Sequence, residues 1–189
     1  MDVLIAADIF GHTPALDRLA GRVGLNATHI IDPYGGRIKF RDEALAHEFF
    51  STRVGIAAYA DIIADRLEKN PRIRSLIGFS AGAAAIWHLS GTPAFAHIRR
   101  AIGFYPSQIR HHLHIHPMFD TQLFFPASEP HFDVDGLISA LENTPNLSCC
   151  KTAGFHGFMN ELSRNFDPGL YETYLEKLNN ISLTPVTLF

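Results

Sequence analysis

Six short, mostly apolar runs punctuate the chain at residues 3–7, 29–31, 73–79, 101–105, 121–125 and 146–151, and each gives way to turn-forming residues. Apolar runs of this length, without polar alternation, fit strands covered on both faces, which is the environment of a parallel sheet. Between them the apolar residues fall at helical spacing. The longest such stretch spans residues 42–69, where Leu45, Phe49, Ile56, Tyr59, Ile63 and Leu67 gather toward one side. Asp42 offers it an N-cap, and Gly55 is a point at which it would break into two helices. Shorter helices are predicted over 81–89, 133–143 and 168–179, the last opened by Asp167 as cap and Pro168 in the first turn. Strand alternating with helix predicts an α/β fold: a doubly wound, mostly parallel six-stranded sheet with right-handed crossovers. No repeat, low-complexity tract or linker interrupts it, so residues 1–189 read as one domain.

Composition narrows the partner. The chain is 47% hydrophobic with a formal charge of −3, and its charges of both signs are interspersed. There is no basic stripe for nucleic acid and no polybasic patch for a membrane, which leaves a small molecule or another protein. The opening MDVLIAADIF has too short an apolar stretch, lacks a basic flank and meets Asp8, so it reads as neither a signal peptide nor a membrane span. The only two cysteines, Cys149 and Cys150, are adjacent and cannot form a disulfide framework; they read as thiols buried in a strand. A reducing, cytoplasmic location is the expectation.

One stretch carries chemistry. A predicted strand runs straight into Gly78-Phe79-Ser80-Ala81-Gly82 and then into a helix-forming series. A turn this tight strains the serine backbone and leaves no room for side chains two residues to either side, so it needs the glycines. It lifts the hydroxyl off the sheet at the positive end of a helix. The alternative is an ordinary strand-to-helix turn. A nucleophilic serine needs a base, and in this architecture the acid and then a histidine follow it in the chain. His156, in Ala153-Gly154-Phe155-His156-Gly157-Phe158 directly after the last predicted strand, suits a general base; otherwise it is a solvated turn residue. For the acid, Glu129 and Asp133 compete after the fifth strand. Glu129 is favoured because it follows that strand by four residues and can reach the next loop. Asp133 reads as the cap of the following helix, and Asp135 stays open as a third choice.

These residues resemble the dienelactone hydrolase family of α/β hydrolases. Ala7-Asp8-Ile9-Phe10-Gly11 is similar to the family's acidic-Ile-Phe-Gly motif, and Asp32-Pro33-Tyr34-Gly35 to its Pro-Asp-Leu-Tyr-Gly stretch. Gly78–Gly82 matches the nucleophile elbow, Gly103-Phe104-Tyr105 resembles a Gly-Phe-Tyr strand end, and His156-Gly157-Phe158 matches the His-Gly-Phe that carries the base. The likeness spans nearly the whole chain in the same order. It implies the α/β-hydrolase fold without the N-terminal antiparallel strand pair. It also implies cleavage of a small carboxylic ester or lactone through an acyl-enzyme, with Ser80 as nucleophile, His156 as base and then acid, and Glu129 as the acid of the triad. The backbone N–H groups of Ile9 and Ala81 would form the oxyanion hole. Three departures stand out. Pro126-Ala127-Ser128-Glu129 replaces both ends of a Gly-x-x-Asp pattern, Ser80 stands where the family's namesake has cysteine, and the arginines that bind the namesake's substrate carboxylate have no match.

Phe10, Tyr105 and Phe155 would form an apolar substrate pocket beside Ser80, or else pack as ordinary core. Arg37, Arg41 and Arg110 are candidates for an anionic substrate, with surface solvation the default. Asp8 either braces the site or ends its strand. If extended, His112, His114 and His116 would share one side next to His111, as in a metal site, but no carboxylate or cysteine lies at usable spacing and a polar loop is favoured. No metal and no cofactor is expected. A thioesterase with the same triad, a catalytically silent binding module and a homo-oligomer that covers the sheet edge remain open.

Overall fold

The computed structural model describes residues 2–23 and 27–183. Its strands are β1 (Asp2–Ala6), β2 (Thr28–Ile31), β3 (Ile73–Phe79), β4 (Arg100–Phe104), β5 (Asp120–Phe125) and β6 (Leu147–Lys151). They form one sheet in the order β2-β1-β3-β4-β5-β6, and every pair is parallel. The helices are α1 (Pro14–Arg22), α2 (Glu43–Arg53), α3 (Gly55–Lys69), α4 (Ala81–Ser90), α5 (Val134–Leu141) and α6 (Pro168–Leu183). Among the described residues no helix is long and apolar enough to cross a membrane.

Side chains alternate across a strand, so each strand feeds two cores. Leu4, Ala6 and Leu76 face Tyr59, Ile63 and Leu67 of α3 and Ala85 and Ile86 of α4. Val3, Ile5, Ile77 and Phe79 face the other way, onto Leu19 of α1 and Tyr174, Leu175 and Leu178 of α6. A third cluster joins Trp87 of α4 to Leu123 and Phe125 of β5 and Leu137 of α5. Tyr59 is fully buried, and its hydroxyl lies 3.1 Å from the carbonyl of Ala7 and 3.0 Å from that of Ile31, which ties together the ends of β1 and β2.

The break at Gly55 is where the pattern puts it: Gly55 has φ +74, and Asp42 caps α2 by accepting from the Leu45 N–H at 2.9 Å. The break also re-phases the wheel, so the expected stripe does not continue through α2. Ala46 and Phe50 are its buried residues, while Leu45 and Phe49 are exposed. Phe49 packs instead on the rings of Tyr34 and Phe40, with centroids 5.4 and 5.6 Å away. Helix α1 has no counterpart among the predicted elements. Its sequence buries only Leu19, too little for a periodic signal, although Thr13 accepts from the Leu16 N–H and Pro14 opens the first turn. The histidine-rich segment is not extended: His111 ends a 3-10 turn over Ser107–His111, and the His112 ring meets those of His88 and His114 edge-on. Among the described residues no three His, Cys, Asp or Glu are arranged to hold a metal ion. Cys149 and Cys150 lie half-buried in β6, and burial pushes the Cys149 thiol up to about 11.

The strand order reverses beside β1, with β2 on one flank and β3 on the other, so the chain leaves the carboxyl ends of β1 and β3 toward opposite sides and opens a crevice there. The first turn of α4 closes its floor. A Cβ on Gly78 would lie 2.6 Å from the Cα of Ala83, and one on Gly82 would collide with the carbonyl oxygens of Ala6 and Ala7. Gly82→Ala is expected to destabilise the protein by about 1–3 kcal/mol or to prevent folding, because the clash is with backbone. Denaturant unfolding of the variant checks this; a midpoint equal to wild type would mean that α4 does not approach β1 so closely.

Candidate active site

Ser80 follows β3 with φ 47 and ψ −110, a backbone conformation that non-glycine residues rarely hold. Its N–H donates to the Phe104 carbonyl at 2.9 Å, which anchors the strained residue to the next strand. Its Oγ is 2.9 Å from Nε2 of His156, 76 residues away, in the loop after β6. That loop is held by Gly157 at φ +91 and by the Asn165 side-chain amide, which donates to the His156 carbonyl at 2.8 Å. On the far side of the ring Nδ1 lies 2.6 Å from Oε1 of Glu129. Glu129 follows β5, and an isolated antiparallel bridge to Phe132 fixes its loop.

Ser107, three residues past the end of β4, completes the network. Its hydroxyl donates to Oε1 of Glu129 at 2.7 Å and sits 3.0 Å from Nδ1 of His156. A neutral imidazole carries one proton. Glu129 accepts it from Nδ1, which leaves the Nε2 lone pair facing the Ser80 hydroxyl. The Glu129 side chain is 8% exposed. Burial alone would raise its pKa, but the hydrogen bond and charge of His156, the Ser107 hydroxyl and the Arg110 charge together hold the carboxyl below the usual range.

Ile9, two residues beyond Ala7, and Ala81, the first residue of α4, border the same groove as Ser80. Neither N–H donates a hydrogen bond among the described residues. The groove has a volume of about 1020 Å³. Glu43, His47 and Phe50 of α2, Ile56 of α3, and Arg110, His131, Phe132, Phe155 and Arg164 also line it.

The structure thus brings Ser80, Glu129, His156, Ile9, Ala81 and Phe155 together. It does not bring Phe10 and Tyr105 into the groove. Phe10 is buried beneath its loop, and Tyr105 is fully buried with its ring 4.9 Å from that of His156, so it backs the imidazole. Tyr105 belongs to the core that Phe79 and Phe104 share, turned there by a backbone at φ 41, and Phe10 sits in the turn after β1. Asp133 caps α5 by accepting from the Asp135 N–H at 3.1 Å, and Asp135 pairs with Lys151 at 2.8 Å, so neither approaches His156. Arg37 pairs with Asp17 and Arg41 with Asp42, both outside the groove; Arg110 lines it and lies 5.1 Å over the Phe132 ring. Ser107 was not anticipated. Its signal is positional, a hydroxyl three residues past the end of the strand between those carrying nucleophile and acid.

No family model matches the chain. The Bacillus subtilis protein YczH, itself uncharacterized, is 28% identical over 185 residues, covering 94% of this chain and 90% of YczH. Among solved structures, a Klebsiella pneumoniae protein provisionally described as a dienelactone hydrolase superposes with a TM-score of 0.74 at 13% identity, over 97% of this chain and 87% of that one. The fold is that of the α/β hydrolases. The dienelactone hydrolase-like promiscuous phosphotriesterase P91, from metagenomic libraries, superposes at 0.67 with 15% identity over 96% and 84% of the two chains. A dienelactone hydrolase of Anabaena variabilis does so at 0.62 with 14% identity over 95% and 83%. In this fold the strand-to-helix turn at Ser80 comes after a central strand and before the helix packed on it.

Ser107→Ala removes a hydrogen bond to a charged carboxylate and is expected to cost on the order of 1 kcal/mol at pH 7. Because the bond favours the charged form, its loss raises the Glu129 titration midpoint, which carboxyl NMR of wild type and variant would follow. A depressed carboxyl pKa contributes stability that is present above the unfolded value of 4.5 and lost as pH falls through the folded pKa. The difference between the two proteins should therefore shrink in acid; a pH-independent difference would count against the bond.

Proposed function

We propose that the chain is a serine hydrolase of the dienelactone hydrolase type that cleaves a small carboxylic ester or lactone through an acyl-enzyme. The carrying observation is the line from Glu129 Oε1 to His156 Nδ1 at 2.6 Å and from His156 Nε2 to Ser80 Oγ at 2.9 Å, ending on a serine in an elbow. The fold shared with the proteins described as dienelactone hydrolases supports the same class.

Ser80 Oγ attacks the substrate carbonyl carbon as its proton passes to His156 Nε2. The carbonyl oxygen becomes an oxyanion held by the Ile9 and Ala81 N–H groups, with the positive end of α4 behind it. Glu129, ionised and nearly buried, stabilises the imidazolium. Collapse breaks the carbon–oxygen bond of the ester, and the leaving alkoxide takes the proton from Nε2. Water then gives its proton to Nε2 and attacks the acyl carbon, and Ser80 leaves with that proton restored. A lactone would leave as a single ring-opened hydroxy acid.

Intact-mass measurement after incubation with a fluorophosphonate tests the reading. Wild type should gain one adduct, Ser80→Ala none, and His156→Ala should label more slowly by about 10²-fold or more. A well-folded wild type that gains no adduct would make Ser80 an ordinary turn residue and favour a binding module on the same fold.

A further inference from the structure

Asp8 stands between the two loops that the hydrolase reading depends on, and it is outside the groove. It lines instead, with Phe79, Tyr105 and Asn160, a chamber of about 20 Å³ that has no room for a substrate. Its two carboxylate oxygens hold different partners. Oδ1 accepts from the Phe10 N–H at 2.9 Å, and Oδ2 accepts from the side-chain amide of Asn160 at 2.5 Å, across 152 residues.

The first bond acts on the peptide that follows Ile9. Its N–H, that of Phe10, is held by Asp8, and its carbonyl, that of Ile9, accepts from the Tyr34 hydroxyl at 2.6 Å. With both ends pinned, that peptide cannot rotate; the Ile9 N–H lies on the preceding peptide, whose carbonyl, that of Asp8, accepts from the Gly11 N–H at 3.0 Å, so with both neighbouring peptides held it keeps one direction. The second bond acts on the loop of His156. The Asn160 N–H donates to the Gly157 carbonyl at 2.8 Å, and the Asn160 side-chain oxygen accepts from the Leu162 N–H at 2.8 Å, so this side chain is itself fixed. Desolvation raises the Asp8 pKa against the pull of both hydrogen bonds and the nearby His156. A charge is costly at this position, whereas two acceptor oxygens in fixed directions are useful there.

Resting on the hydrolase reading above, we propose that Asp8 is a positioning residue whose two hydrogen bonds, to Phe10 and Asn160, set the Ile9 oxyanion donor in register with His156. It touches neither substrate nor Ser80. Its effect falls on the transition state, where the Ile9 N–H meets developing charge, and leaves the binding of the neutral ester unchanged.

The pair can be exchanged without losing a bond. In Asp8→Asn alone an amide meets the Asn160 amide, and in Asn160→Asp alone a carboxylate meets a carboxylate. In the double variant the new amide at 8 donates to the new carboxylate at 160, while the Phe10 and Leu162 N–H groups keep an oxygen each. With p-nitrophenyl acetate as probe, each single variant should lower kcat by about tenfold or more, with KM within about twofold. The double variant should return kcat to within about threefold of wild type, and fluorophosphonate labelling rates should follow kcat. Cooperative unfolding of each variant separates this from loss of fold. A folded single variant with kcat within twofold of wild type, a rise in KM alone, or a double variant no better than the singles would overturn the proposal. If wild type neither labels nor turns over, the hydrolase reading fails. Amide exchange at Phe10 then decides the strap alone: protection in wild type and the double variant with loss in both singles supports it, and equal exchange in all four overturns it.

Discussion

The contact on which the site depends is the approach of the first turn of α4 to the end of β1. With no Cβ at Gly82, the helix backbone sits against the Ala6 and Ala7 carbonyls, and with none at Gly78 the elbow closes under Ala83. This proximity brings Ala81, at the start of the helix, beside the loop that carries Ile9. It also forces the Ser80 backbone into its positive-φ conformation, which costs on the order of 1–3 kcal/mol. Burial of α4 more than offsets this. Nine of its ten residues are buried, and Ile86, Trp87 and Leu89 alone each contribute about 1.5–3 kcal/mol. The alanines before them keep the helix slim enough to lie so close to the sheet.

The in-register ladder on the other side of β3 distributes the remaining groups. Phe79, Phe104 and Phe124 occupy matched positions on β3, β4 and β5, and their rings stack at 5.2 and 5.1 Å. Past that row each chain leaves the sheet with its first free N–H still bound to the neighbour: Ser80 to Phe104, Tyr105 to Phe124, Thr152 to Phe125. The loops therefore start from a common level. Ser80, Ser107, Glu129 and His156 come from four successive strands in sheet order, which is why residues 76 positions apart meet within hydrogen-bond distance.

Much of this was legible in the sequence because the signals were local. A strand that ends in Gly-Phe-Ser-Ala-Gly and enters a helix can hardly be built another way, and the six strands read directly as apolar runs. Glu129 was separable from Asp133 because a residue placed to cap a helix has its carboxylate committed to that helix. What escaped depended on direction or distance. A buried aromatic just past a strand faces either the groove or the core, and the backbone of the turn decides, so Phe10 and Tyr105 were set on the wrong side. The stripe expected through α2 failed because the φ of Gly55 shifts the helical phase by an amount that the sequence does not encode. Ser107 was missed because its position three residues past β4 gains meaning only once the pairing of β4 with β5 brings it to Glu129.

Ser107 also steadies the long side chain of Glu129. The extra methylene relative to aspartate lengthens the reach from β5 to the imidazole, and it adds a torsion whose freezing costs a fraction of a kcal/mol or more. An acid free to swing would populate geometries in which Nδ1 has no acceptor and the histidine turns to the wrong tautomer. Two contacts restrict that freedom. The bridge between Glu129 and Phe132 holds the backbone, and the Ser107 hydroxyl donates to Oε1 at 2.7 Å. The same hydroxyl and the Arg110 charge keep a nearly buried carboxyl ionised.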